Sequence, residues 1–395
     1  MTPTVRLKPK ADAQALRHGR PWAYLDDLVL DRRTRGIAAG SFVRLEDASR
    51  APLGLYAFNP ESKIAARLID RDPEADIDAA WFAKRLQTAF DHRQRLYPDP
   101  FYRLIHAEAD GMPGVIVDRF GDTLAFQPNA AWADTHSEQI IDALQAVTGA
   151  STVVLNGTGR ARGLEGLEDR LDVVRGAVDG VIDVPMNGAI YKADLVGGQK
   201  TGLFFDQRDN HAFAAKLSAG CDVLDVFSHV GGFALAMLAG GAKSALSVDS
   251  SEPALALAAQ GAARSGSVER FASRKGDAFK TMEALAEEGA SFDVVICDPP
   301  AFAPSKKALG QGLRAYERVA RLAAPLVRPG GYLGLCSCSH AADISRFLRS
   351  SSRGIGRAGR QAQLIHTGAA GPDHPLLPAL SESGYLKALF FRLDP

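Results

Sequence analysis

The sequence predicts an α/β protein whose C-terminal half is a doubly wound, mostly parallel sheet, preceded by a small β-barrel and an α+β segment. Three observations carry this. From residue 188 onward, short apolar strands alternate with helix-forming stretches, the pattern of a sheet with crossover helices. The stretch Val223–Leu238 passes from an apolar strand through Ser228–Gly232 into a helix former. Its paired glycines let a ligand approach the backbone, as a nucleotide-type site requires. Residues 1–71 instead break into short strands at the close spacing of a small barrel.

The barrel strands are expected at Thr4–Leu7, Leu28–Leu30, Ser41–Glu46, Pro52–Phe58 and Ile64–Ile69, with one helix near Ala11–Arg17. This segment carries thirteen Lys/Arg against eight Asp/Glu, a net +5 in a chain of zero net charge. A basic small domain joined to an acidic remainder fits a nucleic-acid partner. Lys8, Arg17 and Arg20 flank Trp22, offering phosphate contacts beside a stacking ring. The plainer alternative is a core Trp22 with solvated cations.

The middle segment opens after a Pro73 linker with a helix, Ala79–Tyr97, whose apolar residues recur near helical spacing until Pro98 and Pro100. Strands Arg103–His106, Val115–Val117 and Thr123–Gln127, a helix His136–Val147, and strands Val153–Asn156 and Leu171–Val174 complete it. Its carboxylates Glu108, Asp110 and Asp118 read as structural or surface groups.

At 395 residues, 46% apolar and 23% charged, the chain has the length for two or three domains and the composition of a globular protein. No apolar run approaches the ~18–20 residues that span a bilayer. The start, MTPTVRLKPK, lacks the apolar core of a secretory signal, so the expectation is a cytoplasmic protein with no membrane partner. The four cysteines show no zinc-type spacing, and neither a disulfide framework nor a metal site is expected.

Ligands of doubly wound sheets sit outside the carboxyl ends of the strands. Here those ends carry Asp225, Phe227 and Gly231-Gly232, then Asp249-Ser250, Asp277-Ala278, Asp298 and Cys338. The spaced G-x-G-x-x-G fingerprint of a dinucleotide site is absent. A cofactor with one nucleoside and an amino-acid tail, S-adenosylmethionine, fits better. Its ribose is expected at Asp249, its adenine amine at Asp277, and its tail at the glycine turn. The polar segment Gln199, Lys200, Thr201, Gly202, Phe205, Asp206 and Arg208 also converges on that tail.

Asp298-Pro299-Pro300-Ala301-Phe302 resembles the segment with which many methyltransferases hold a flipped base. The prolines aim the carboxyl, and Phe302 offers a stacking face. Cys221, Cys297 and Cys336 read as inert small hydrophobes. Cys338, at a strand end beside the ligand, is the candidate nucleophile that adds to C6 of a pyrimidine and activates C5.

With these residues in view, nearly the whole chain resembles the RlmI-like family of 23S rRNA cytosine-C5 methyltransferases. The match runs over Arg17–Trp22, Asn59–Arg67, Tyr102–Asp118, Gly198–Asn210, Phe227–Phe233, Asp298–Lys306 and Cys336–Ser339. The resemblance implies a PUA-like RNA-binding domain (1–71), an α+β middle domain (72–187) and a Rossmann-like class I methyltransferase domain (188–395). It implies Cys338 as nucleophile and Asp298 as the group orienting the cytosine. Ribosomal RNA, 23S above all, is the expected partner, met also by Pro299, Pro300, Phe302 and Lys306, with a homodimer left open. Where many cytosine-C5 enzymes carry a second cysteine after the proline, this chain has Pro300-Ala301, so the base that removes the C5 proton is unassigned. Two other readings stand beside this one: amino-methylation of guanine N2 or adenine N6, and a non-catalytic RNA-binding assembly factor.

Overall fold

The computed structural model describes residues 2–197 and 202–394. It divides into two compact units. The first runs to Gly180 and includes Pro372–Ser383; the second holds Val181–Asp194, Gly202–Gly371 and the tail from Gly384.

The first unit contains two five-stranded sheets. β1 (Thr4–Arg6), β2 (Trp22–Ala23), β3 (Ser41–Glu46), β4 (Pro52–Phe58) and β5 (Ala66–Asp70) pair in the order β1-β3-β4-β5-β2. The expected strand at Leu28–Leu30 is reduced to a single bridge, Leu7 to Leu28. Helices α1 (Ala13–Arg17) and α2 (Arg32–Arg35) lie between strands. β6 (Phe101–His106), β7 (Val115–Phe120), β8 (Thr123–Pro128), β9 (Thr152–Gly157) and β10 (Arg170–Arg175) form the second sheet, in the order β10-β9-β8-β7-β6. α3 (Ala79–Leu96) begins where Asp78 accepts from Trp81 N at 2.8 Å, an N-cap. It buries Phe82, Leu86, Ala89, Phe90 and Arg93 at 3–4 residue spacing. α4 (Ala131–Thr135), α5 (Ser137–Thr148) and α6 (Arg160–Leu164) complete the unit.

Charges buried in this unit come in pairs. Arg93, fully buried, donates to both Asp110 oxygens at 2.6 and 2.7 Å, to Arg103 O and to Asp373 O. Arg103 grips the buried Asp118 in the same forked way. Arg67 bridges Glu108 and Glu165, both at 3.0 Å, and Asn59 and Ser62 complete the shell of Glu165. A planar guanidinium suits such bidentate contacts.

The second unit opens with a hairpin, β11 (Ile182–Met186) and β12 (Ala189–Ala193), closed by Asn187 and Gly188 at φ 53° and 76°. Both left-handed positions match the two-residue turn that Asn-Gly favours. A seven-stranded sheet follows: β13 (Asp222–Val226), β14 (Ser244–Asp249), β15 (Phe271–Lys275), β16 (Phe292–Cys297), β17 (Val327–Ser337), β18 (Ala362–Gly368) and β19 (Lys387–Leu393). The order is β15-β14-β13-β16-β17-β19-β18. The first five strands run parallel, and β19 runs antiparallel to both β17 and β18. The helices are α7 (Arg208–Lys216), α8 (Gly232–Ala239), α9 (Glu252–Arg264), α10 (Ala278–Glu287), α11 (Leu309–Ala323) and α12 (Ile344–Arg357). The reversal of strand order on either side of β13 puts a crevice at its carboxyl end. Among the described residues, no helix is long and apolar enough to cross a membrane.

Candidate active site

At the carboxyl end of β13 the chain turns left-handed at Phe227 (φ 64°), His229 (φ 48°) and Gly231 (φ 80°). A non-glycine residue held there costs ~1–2 kcal/mol. Ser228 N bonded to Val248 O (3.1 Å) and His229 N to Asp249 Oδ2 (2.9 Å) hold the strained turn. Asp249 Oδ1 accepts from Ser251 N, so both oxygens of this acid brace the turn. At Gly232 a Cβ would lie 2.9 Å from His211 Nε2. That histidine is buried, and its pKa is pushed down to about 3 by burial and by the Arg208 charge.

Beneath the turn, Asp225 is fully buried. Its Oδ2 accepts from Ala234 N at 2.9 Å, but among the described residues its Oδ1 has no partner, nor has Ser228 Oγ. Burial first, then the charges of Asp298 and Asp249, push the Asp225 carboxyl up to about 8. Asp298, half-buried, is pushed up to about 7 by burial and by Asp206, against a hydrogen bond from Gln207. Buried acids with an unsatisfied oxygen are costly unless something positive completes them. S-adenosylmethionine, which carries a sulfonium and an ammonium, fits that requirement.

Gln199, Lys200 and Thr201 lie outside the described residues. Gly202 (φ 83°) sits where a Cβ would be 2.8 Å from Asp194 O. Phe205 is buried beneath the Arg208 guanidinium, 5.5 Å from its ring centroid. Asp206 Oδ2 accepts from the Tyr385 hydroxyl at 2.6 Å. Ser250 is exposed beside Asp249. Asp277, also exposed, caps α10 by accepting from Lys280 N at 3.0 Å, and Ala278 is buried in the core.

Two further loops meet beside the turn. The first, after β16, presents Asp298, whose Oδ2 accepts from Gln207 Nε2 at 2.9 Å. Pro299 is buried and Pro300 exposed; Phe302 packs against Tyr316 at 5.0 Å and edge-on to Phe227 at 6.4 Å. Lys306 is exposed where the loop enters α11. The second loop follows β17 and carries Cys338, half-buried. The two are hydrogen-bonded together: Ala303 N donates to Ser339 Oγ at 2.9 Å. The Tyr316 hydroxyl lies 2.7 Å from Ser339 Oγ and accepts from Ser337 Oγ at 2.9 Å, pinning both neighbours of Cys338. Lys387, buried at the head of β19 opposite Ser337, donates to Ser339 O at 2.6 Å. Burial pushes its pKa down to about 8, against the charges of Cys338 and Asp343.

Sequence reasoning does not single out Tyr316, Ser339 and Lys387 as side chains of the site. Lys387 carries a signal, a cation heading the apolar run Ala388–Phe391; Tyr316 carries none, lying in an amphipathic helix. Cys297 and Cys336 are buried, and burial drives both thiols upward, which suits inert side chains.

The N-terminal candidates behave differently from expectation. The Trp22 indole donates to Glu108 at 2.8 Å, and Arg67 lies over its ring at 5.7 Å, so this ring is engaged within its own unit. Arg17 pairs with Asp47 and Arg20 with Asp27. Lys8 remains exposed and bonds Asp26 O. The acids supplying these partners lie as far off in sequence as Glu108, and so escape a local reading.

Comparison with known proteins gives consistent results. Residues 159–392 match the S-adenosylmethionine-dependent methyltransferase family, and residues 5–71 match the PUA-like domain. The chain is 33% identical to the ribosomal RNA large subunit methyltransferase I of Tolumonas auensis, covering 99% of this chain and 100% of the relative. It is 36% identical to the Vibrio vulnificus protein of that name, over 96% of each. Among solved structures, a SAM-dependent methyltransferase from Streptococcus mutans superposes with a TM-score of 0.83 at 19% identity, over 99% of this chain and 100% of that one. A methyltransferase crystallised with SAH gives 0.84 at 20% identity, with the same coverage.

Proposed function

This chain belongs to the ribosomal RNA large subunit methyltransferase I family of S-adenosylmethionine-dependent enzymes, and on that footing we propose that it methylates C5 of a cytosine in 23S ribosomal RNA through a covalent Cys338 adduct. The observation that carries this reading is the Ala303–Ser339 bond, which fastens the Asp298 and Cys338 loops into one acceptor site.

The cofactor, when bound, supplies an electrophilic methyl group on a sulfonium sulfur. Asp225, Asp249 and the strained turn are assigned to its polar atoms, with Asp206, Phe205 and Arg208 nearby. Asp298, with a pKa near neutrality, can meet N3 of cytosine as an acid, drawing electrons from the ring and exposing C6 to attack. The Cys338 thiolate adds to C6, forming an S–C6 bond and placing the displaced electron pair on C5. C5 would take the methyl group as the donor's sulfur–methyl bond breaks to leave a neutral thioether. An as yet unassigned base then takes the C5 proton, and the freed electron pair expels the thiolate and restores the ring as N3 returns its proton to Asp298. Lys387 acts as a positioning residue: its ammonium, fixed on Ser339 O, favours the charged sulfur next door. The PUA-like domain is assigned to RNA, with Lys8 among its exposed cations.

The test uses 23S rRNA transcripts made with 5-fluorocytidine, whose C5 substituent cannot leave as a proton. The wild-type chain is expected to stay covalently attached, and Cys338→Ala to lose both the adduct and methyl transfer while keeping its cofactor affinity. Undiminished methyl transfer by Cys338→Ala, or a methylated purine amine in nucleoside mass analysis, overturns the reading.

A further inference from the structure

The exposed side of α11 and α12 carries a feature that the catalytic centre does not use. Gly354 of α12 lies against α11 so closely that a Cβ there would be 2.4 Å from Glu317 O. Beside this contact the two helices enclose a groove of about 520 Å³, whose charged walls are Arg314, Glu317, Arg346, Arg349 and Arg353.

Helical spacing makes this face. Residues 346, 349, 353 and 357 are all arginine, at steps of three and four that keep them on one side of α12. Phe347, Ser351 and Ile355 occupy the buried side, and the helix contains no acid. Arg353 and Arg357 both reach Glu317 of α11 and still have side chains 62% and 64% exposed. Among the described residues, neither Arg314 nor Arg349 has an acid within ion-pair distance. The cations therefore outnumber what internal pairing uses. Five like-charged side chains held close repel one another, a cost that a polyanion relieves.

The groove also sits close to the chemistry. Tyr316, on the neighbouring face of α11, packs on Phe347 of α12 and is hydrogen-bonded to Ser337 and Ser339 around Cys338. Its sequence neighbour Glu317 lines the groove. The arginine row and the Cys338 loop are therefore served by adjacent residues of one helix. Lys306 and Lys307, both exposed, continue the positive charge from α11 toward the Asp298 loop.

We propose that this groove binds the sugar–phosphate backbone of the RNA strand flanking the target nucleotide. The proposal rests on the RNA-methyltransferase reading above and adds a contact surface on the catalytic unit itself. Arginine forks match phosphate oxygens. The groove is lined by four arginines against one glutamate, with Leu313 its one large apolar side chain, which suits a polyanion better than a protein partner.

The double variant Arg314→Ala/Arg349→Ala tests it, since neither residue touches the acceptor loops or the cofactor turn. Binding of a 23S rRNA fragment is expected to weaken at least tenfold at low salt. The slope of log K against log salt should fall by about 1–2, because each phosphate that an arginine neutralises contributes ~0.7–0.9 to it. Cofactor affinity, and kcat at saturating RNA, should stay within about twofold, and Arg314→Lys/Arg349→Lys should restore the slope. Unchanged RNA affinity and slope in the alanine variant, beside a wild type that methylates RNA, overturn the groove and leave the reading intact. A wild type that binds the cofactor but methylates no RNA overturns the reading and the groove with it.

Discussion

The buried ion pairs of the first unit and the buried Asp225 of the second are built in opposite ways. In the first, Arg93 meets Asp110, Arg103 meets Asp118, and Arg67 joins Glu108 to Glu165, each by forked or bridging contacts. In the second, Asp225 is equally buried, yet among the described residues one of its oxygens meets nothing, and Asp249 and Asp298 stand near enough to raise its pKa. A satisfied pair sets geometry and leaves no binding capacity over. An unsatisfied acid destabilises the empty protein and reserves its attraction for a cationic ligand. The contrast is a physical ground, independent of sequence similarity, for the Asp225 assignment proposed above.

The strongest way to break the contrast is in the first unit. Arg93→Ala would strand Asp110, and removing one partner of a buried pair costs about 3–5 kcal/mol, so urea unfolding should show a loss of that order. A loss under about 1 kcal/mol would mean the network is not structural.

The mirror experiment is Asp225→Asn. It keeps an acceptor for Ala234 N and removes the buried acid, so the apo fold should be as stable as wild type or more so. Cofactor binding by calorimetry should weaken at least tenfold, about 1.4 kcal/mol. Unchanged affinity would take Asp225 out of the cofactor site.

The same acid gives a pH dependence. Its folded pKa, about 8, stands above the ordinary carboxyl value of 3.8, so the folded state holds the proton more tightly than the unfolded one. Its contribution to apo stability is therefore fully present below about pH 4 and lost as pH rises toward 8. Cofactor affinity should move the other way, tightening up to about tenfold per pH unit toward 8 with proton release on binding. Both trends should flatten in Asp225→Asn.

The smallest expected effect concerns Lys387, buried beside the Cys338 loop. Its ammonium is held below about pH 8 and lost above. Lys387→Met should therefore reduce methyl transfer by about tenfold at pH 7 and converge on wild type by about pH 9, with partial rescue by Lys387→Arg. A gap independent of pH would make the residue merely structural.

Much of this fold is legible because single strands declare themselves. Expected and observed bounds coincide at Phe292–Cys297, an apolar run, and at Ser41–Glu46, where apolar and polar residues interleave along the strand. The hairpin at Ile182–Ala193 escapes a reading of the sequence although Asn187-Gly188 announces it, because Pro185 argues against a strand. Helix α12 escapes it too, because Ser350–Ser352, Gly354 and Gly356 are weak helix formers. Its Gly354 instead permits the close approach of α11, a fact about a partner helix far back in the chain. At the site, the strand-end acids and Cys338 can be read from position alone. The hydrogen bonds that aim them, from Gln207, Tyr316 and Lys387, join segments up to 91 residues apart, and no local pattern encodes them.

The Ser339 hydroxyl, which receives Ala303 N and meets Tyr316, has a kinetic consequence. Its bonds involve protein atoms alone, so the Cys338 loop and the Asp298 loop are latched to each other by the fold itself. Donor and acceptor then need not bind in a fixed order, and steady-state kinetics with both varied should follow a random sequential pattern.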